Sequence, residues 1–168
     1  MSLPLMAEGE FTLMQKHLEA ALKIDSAMGA APASGHRYYA LVVDAAAQQR
    51  DPVLLQKYAA LAEETSTSID HKLHMAIAHR AWGVAHTLAS EYSQAEARFK
   101  KALEIFISYP APWQIGRTLY EMGELARAQM EKEQALDYFS GALSAFEELH
   151  AVPYAALSRA ALDNVNQV

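Results

Sequence analysis

The chain contains no cysteine, which excludes disulfides, thiolate nucleophiles and cysteine-ligated zinc. Basic residues are sparse: 14 lysines and arginines stand against 20 aspartates and glutamates, for a net charge of −6. A general nucleic-acid binder would carry the opposite balance. No apolar run approaches the roughly 18 residues of a membrane helix. The start, MSLPLMAEGE, has neither the basic stretch nor the long apolar segment of a signal peptide. No phosphate loop of the GxxxxGK[ST] type, no HExxH and no GxSxG occurs. These absences set the expectations of a cytoplasmic protein that is not an enzyme, has no cofactor and no metal, and binds neither nucleic acid nor membrane.

What is present is a repeated phrase. QAEARFKKALEIF (94–106) returns as QALDYFSGALSAF (134–146), a shift of 40 residues. Ala95, Phe99, Ala102, Leu103 and Phe106 fall on Ala135, Phe139, Ala142, Leu143 and Phe146, and Trp82-Gly83 falls on Met122-Gly123. The spacing of these apolar positions is that of one face of an α-helix. Good helix formers dominate throughout, and only ALVV (40–43) hints at a strand. Asp51-Pro52 reads as an N-cap with proline at the first helical position. Ser93 with Glu96 reads as a capping box, Ser34 as a further cap, and Pro110 and Pro112 close one helix and open the next. The pattern predicts eight helices, at 10–28, 35–50, 52–68, 71–89, 93–108, 112–129, 132–148 and 153–167, joined by short loops and therefore antiparallel in sequence order. Gly83 and Gly123 each precede a small residue, Ala95 and Ala135, by 12 positions. The expectation is that these small residues face each other across a hairpin, which would offset the cost of glycine inside a helix, about 1 kcal/mol.

Trp82, Gly83, Ala95, Phe99 and Ala102, repeated as Met122, Gly123, Ala135, Phe139 and Ala142, resemble the signature of the tetratricopeptide repeat. The spacing of 40 is similar to a long-helix variety of that family. The tail, residues 112–163, resembles the C-terminal repeat arrays of bacterial signalling ATPases and of LuxR-type and maltose-regulator-type transcription activators. The resemblance implies an all-α fold, a right-handed superhelix of antiparallel helical hairpins. It divides the chain into a half repeat (10–28), a degenerate repeat (35–68), repeats at 71–108 and 112–148, and a capping helix (153–167), within a single domain (1–168) read as a fragment of a larger protein. Tyr154, Leu157, Ala161, Leu162 and Val165 would supply the covering face of the cap. It also implies a concave groove lined by first-helix positions: Ile77, Arg80, Val84 and Thr87; Arg117, Tyr120, Glu124 and Arg127; and Arg37, Ala40, Asp44 and Ala47 in the degenerate repeat. Arginines in such a groove suit carboxylates and phosphates.

The remaining chemistry is sparse. His71 and His74 stand at i, i+3 and could reach one ion, but no diagnostic ligand spacing accompanies them; they read as ordinary surface or groove histidines, like His79 and His86. The carboxylates of EYSQAEA and EKE (131–133) sit at helix starts, where they favour the dipole. The expected function is a non-catalytic interaction module holding a peptide, a partner domain or another domain of its own parent chain. The alternatives are a sensor of a small inducer and a homodimerisation module.

Overall fold

The computed structural model describes residues 35–167, together with the helical positions Leu13, Lys16, His17, Glu19, Ala20, Lys23 and Ile24. The rest of the helix expected at 10–28, and the cap expected from Ser34, lie outside the described residues. Seven helices are defined: α1 (His36–Gln49), α2 (Pro52–Ser68), α3 (Lys72–Leu88), α4 (Tyr92–Ser108), α5 (Pro112–Ala128), α6 (Lys132–Glu148) and α7 (Val152–Gln167). No strand occurs among the described residues, and ALVV lies inside α1. No described helix is long and apolar enough to cross a membrane. The chain divides into two compact units, Met1–Ala85 and His86–Val168.

In the first unit, α1 packs on α2. Asp51 caps α2: its Oδ1 accepts from the backbone N–H of Val53 at 2.9 Å and of Leu54 at 3.1 Å, with Pro52 at the first helical position. The shared core is small-residue rich, with Val43, Ala46, Leu55 and Ala59 fully buried. Small side chains let the two backbones approach, so dispersion contacts replace bulky interdigitation.

In the second unit, α4 packs on α5, α5 on α6 and α6 on α7. The repeated phrase is the buried stripe: Ala95, Phe99, Ala102 and Phe106 on α4, and Ala135, Phe139, Ala142 and Phe146 on α6, all reach 0 % exposure. The glycines of α5 explain how the phenylalanines fit. A Cβ on Gly123 would lie 2.6 Å from Phe139 Cε1, and one on Gly116 would lie 3.0 Å from Phe146 Cε1. Gly116 and Gly123 are two turns apart on α5, as Phe139 and Phe146 are on α6, so each ring seats over a missing side chain in an antiparallel crossing. The atoms nearest to Gly123 belong to the Phe139 ring, four residues on from the Ala135 with which the sequence pattern pairs it. The α7 helix covers α6 through Ala155, Ala161 and Val165, with Leu162 and Tyr154 partly buried against the same core. Leu157, expected on that face, is 46 % exposed. Trp113, Phe146 and Tyr154 meet edge to face or tilted at 4.6–5.5 Å between ring centroids, which pins the start of α7 to the end of α6.

The connections share one device. Arg50, Asp70, Ser90, Met130 and His150 have φ between 51° and 62°. After each, the next residue's N–H bonds back to a carbonyl inside the helix just ended: Asp51 to Ala46, His71 to Ser66, Glu91 to His86, Glu131 to Ala126 and Ala151 to Phe146, at 2.8–3.0 Å. This is the left-handed helix stop usually given to glycine. None of the five is glycine. The connection at 109–111 carries Pro110, which cannot adopt positive φ; there Ala111 N–H reaches Phe106 O at 3.1 Å. The expected capping box at Ser93 and Glu96 does not form. The helix begins earlier, with Glu91 at the N-cap and Tyr92 already helical, so Ser93 lies in the first turn. Glu96 instead pairs with Lys100 one turn on, at 2.7 Å.

Candidate functional site

The positions assigned to a groove differ sharply in accessibility. In the first unit Arg37 is exposed and Ile77 half-buried, while Ala40, Asp44, Ala47, Arg80 and Val84 are buried. In the second, Arg127 is exposed, Thr87, Tyr120 and Glu124 are half-buried, and Arg117 is buried. Arg127 donates to Glu124 Oε2 at 2.6 Å from a side chain 56 % exposed; such a pair contributes little to stability and leaves the guanidinium within reach of a ligand. The ring of Tyr120 rests on Phe139 at 5.3 Å, which fixes its orientation. The accessible members are therefore Arg37 and Ile77 in one unit and Thr87, Tyr120, Glu124 and Arg127 in the other. Of the signature residues, Trp82 is half-buried; Gly83, Ala95, Phe99, Ala102, Met122, Gly123, Ala135, Phe139 and Ala142 are all buried.

Arg80 is 1 % exposed, and its Nη2 donates to Asp44 Oδ1 at 2.7 Å. Both had been placed in the groove by the repeat register. They meet across 36 residues, slightly less than one repeat, because the first helix of one hairpin lies beside the first helix of the next. A buried guanidinium needs a compensating charge, and Asp44 supplies it. Beside this pair, His79 Nδ1 lies 3.7 Å from Glu63 Oε1, linking α3 to α2.

The same juxtaposition of α1 and α3 collects three histidines. His36 is the first residue of α1, His71 directly precedes α3 and His74 stands in its first turn. Their rings lie 3.8 Å (His71–His74, stacked), 5.0 Å (His36–His74) and 5.3 Å (His36–His71) apart between centroids. One ligand atom from each falls within 4.8 Å of the other two. The backbone N–H groups of His74 and Met75 donate to His71 O, and that of His74 also reaches His71 Nδ1 at 3.3 Å. Burial, then the neighbouring His71, His36 and Arg37, push the His74 pKa down from 6.5 to about 4. The i, i+3 pair was visible in the sequence. His36 was missed, although a separation just under one repeat marks it as the residue brought alongside.

In the second unit a small pocket of about 100 Å³ is lined by Glu96, Met122, Leu125, Gln129, Glu131, Gln134 and Tyr138. It is well below the roughly 300–1,000 Å³ of a typical small-molecule site.

No protein-family model and no curated protein matches the sequence. Solved structures do. A Rap protein in complex with competence and sporulation factor is similar over 98 % of this chain and 46 % of its own, with TM-score 0.85 and 16 % identity. Aspartyl phosphate phosphatase F from Bacillus subtilis is similar over 98 % of this chain and 43 % of its own, with TM-score 0.75 and 18 % identity. The chain thus spans less than half the length of these structures. What it shares with them is the all-α, tetratricopeptide-like helical-repeat fold.

Proposed function

We propose that the chain is a non-catalytic interaction module that takes an acidic peptide, or an acidic segment of a partner domain, on its first-helix positions. The observation that carries this reading is the likeness, at TM-score 0.85, to a structure solved with a bound factor. Two features of this chain add to it. In the second unit Arg127 is an exposed guanidinium at a position the repeat register assigns to the ligand face, and arginine forks pair with carboxylates in two-point geometry. Tyr120, held by Phe139, offers a rigid flat surface at low entropic cost. Affinity would rest on these few anchors. The resemblance of residues 112–163 carries the proposal further: the module serves a bacterial regulatory ATPase or activator in the cytoplasm, with a domain of the parent chain or a second protein as its partner.

The test is selection of a displayed random peptide library on the purified chain, followed by affinity measurement of the enriched peptides. Acidic sequences should emerge, and Arg127→Glu should weaken them by at least about tenfold, a usual cost for an interface anchor. Circular dichroism should be unchanged, since the side chain is exposed. No enrichment, or binding indifferent to the substitution, refutes the assignment.

A further inference from the structure

We infer that His36, His71 and His74 form a binding site for one divalent d-block cation of the zinc type. Three imidazoles from two helices converge with their ligand atoms within 4.8 Å. Nitrogens around a tetrahedral zinc, each about 2.0–2.1 Å from the ion, stand roughly 3.3 Å from one another. The difference is within reach of side-chain rotation, because all three residues sit at or beside a helix start.

The second observation is a buried nitrogen. His74 Nδ1 is shielded from solvent and has no hydrogen-bond partner. Buried polar atoms are nearly always satisfied, and each exception calls for an explanation such as a missing ion. Packing does not account for it: three imidazoles stacked or tilted on each other give an apolar contact that phenylalanine or leucine would give without stranding a polar atom. Coordination answers the need by taking the lone pair directly. His71 contributes at small cost, since the hydrogen bond its Nδ1 accepts is long, at 3.3 Å.

The surroundings select the kind of ion. Among the described residues no carboxylate belongs to the cluster. Magnesium and calcium depend on oxygen donors and do not suit three imidazoles. Zinc, nickel and copper bond readily to neutral imidazole. Three protein ligands leave a fourth position for water. The bound ion ties the start of α1 to the start of α3, two elements of the first unit that are 36 positions apart along the chain, from His36 to Lys72.

The experiment is calorimetric titration of the full chain with Zn²⁺ at neutral pH, paired with sub-stoichiometric Ni²⁺ and histidine ring NMR. One ion should bind per chain, with no heat from Mg²⁺ or Ca²⁺. His36→Ala, His71→Ala and His74→Ala should each raise Kd by at least about tenfold, since loss of even an outer-shell partner commonly costs 10–100-fold. His150→Ala, exposed and in the other unit, should bind as the parent chain does. The NMR arm needs no variant: Ni²⁺ should broaden the rings of His36, His71 and His74 before any other histidine. Absence of Zn²⁺ binding, retained affinity in the His36 and His74 variants, or first broadening at other histidines overturns the site.

Discussion

Removing the carboxylate of Asp44 should be among the most damaging single changes to the first unit. Its partner Arg80 is 1 % exposed, so its charge cannot turn to water when the carboxylate goes. At a separation of 2.7 Å and an effective dielectric of about 20, the direct attraction is about 6 kcal/mol. Desolvation of the two ions offsets much of that in the intact pair. Asp44→Ala loses the attraction and keeps the desolvated arginine, so the expected destabilisation is about 3–5 kcal/mol. Arg80→Met removes the charge but leaves an apolar stem of similar length, and should cost less. The double variant Asp44→Leu with Arg80→Met removes both ions and fills their volume. It should come within about 1–2 kcal/mol of the parent chain, because replacing a whole buried pair is often neutral. The assay is urea unfolding followed by circular dichroism, with the slope checked for constancy across variants. Strict additivity of the single penalties, or a cost below about 1 kcal/mol for Asp44→Ala, would refute the reasoning.

Gly123→Ala should destabilise the second unit by about 1–2 kcal/mol despite alanine's higher helix propensity, because its Cβ would meet the Phe139 ring at 2.6 Å; chemical denaturation should show the loss, and pairing with Phe139→Leu should recover part of it. Met130→Gly should stabilise by about 0.5–1 kcal/mol, since Met130 is 90 % exposed and holds φ at 62°, a conformation that costs an L-residue about 1–2 kcal/mol; a melting temperature that fails to rise would contradict the left-handed stop. Asp51→Ala should cost about 1 kcal/mol through loss of two N–H bonds at the start of α2, with Asp51→Ser retaining most of the stability.

Much of this fold could be read from residues. The interval between Phe99 and Phe139 placed both buried stripes, and Asp51-Pro52, Pro112 and the short loops placed the helix ends to within a few positions. The failures have physical causes. Ser93 and Glu96 fit a capping box by spacing, but a left-handed residue at Ser90 starts α4 before Ser93 can cap it, and no glycine advertises that turn. The Arg80–Asp44 pair and the approach of His36 to His71 and His74 depend on how adjacent hairpins stack. Helical periodicity along one segment is silent about such contacts. A search for complementary residues 35–38 positions apart, just short of the repeat, would have found both. The groove positions were legible only as register; whether a register position keeps its side chain in water depends on the depth of packing around it.

The left-handed stops have a consequence for how such a chain can change length. Each connection fixes the exit of one helix by a bond that counts backbone atoms, so deleting a single residue there would turn every later side chain by about 100° about its axis and swing a buried stripe outward. Insertions survive only when they restore the original phase, which a whole hairpin does and a stray residue does not. A chain of this construction grows and shrinks by modules, and its joints act as the grammar that forbids anything smaller.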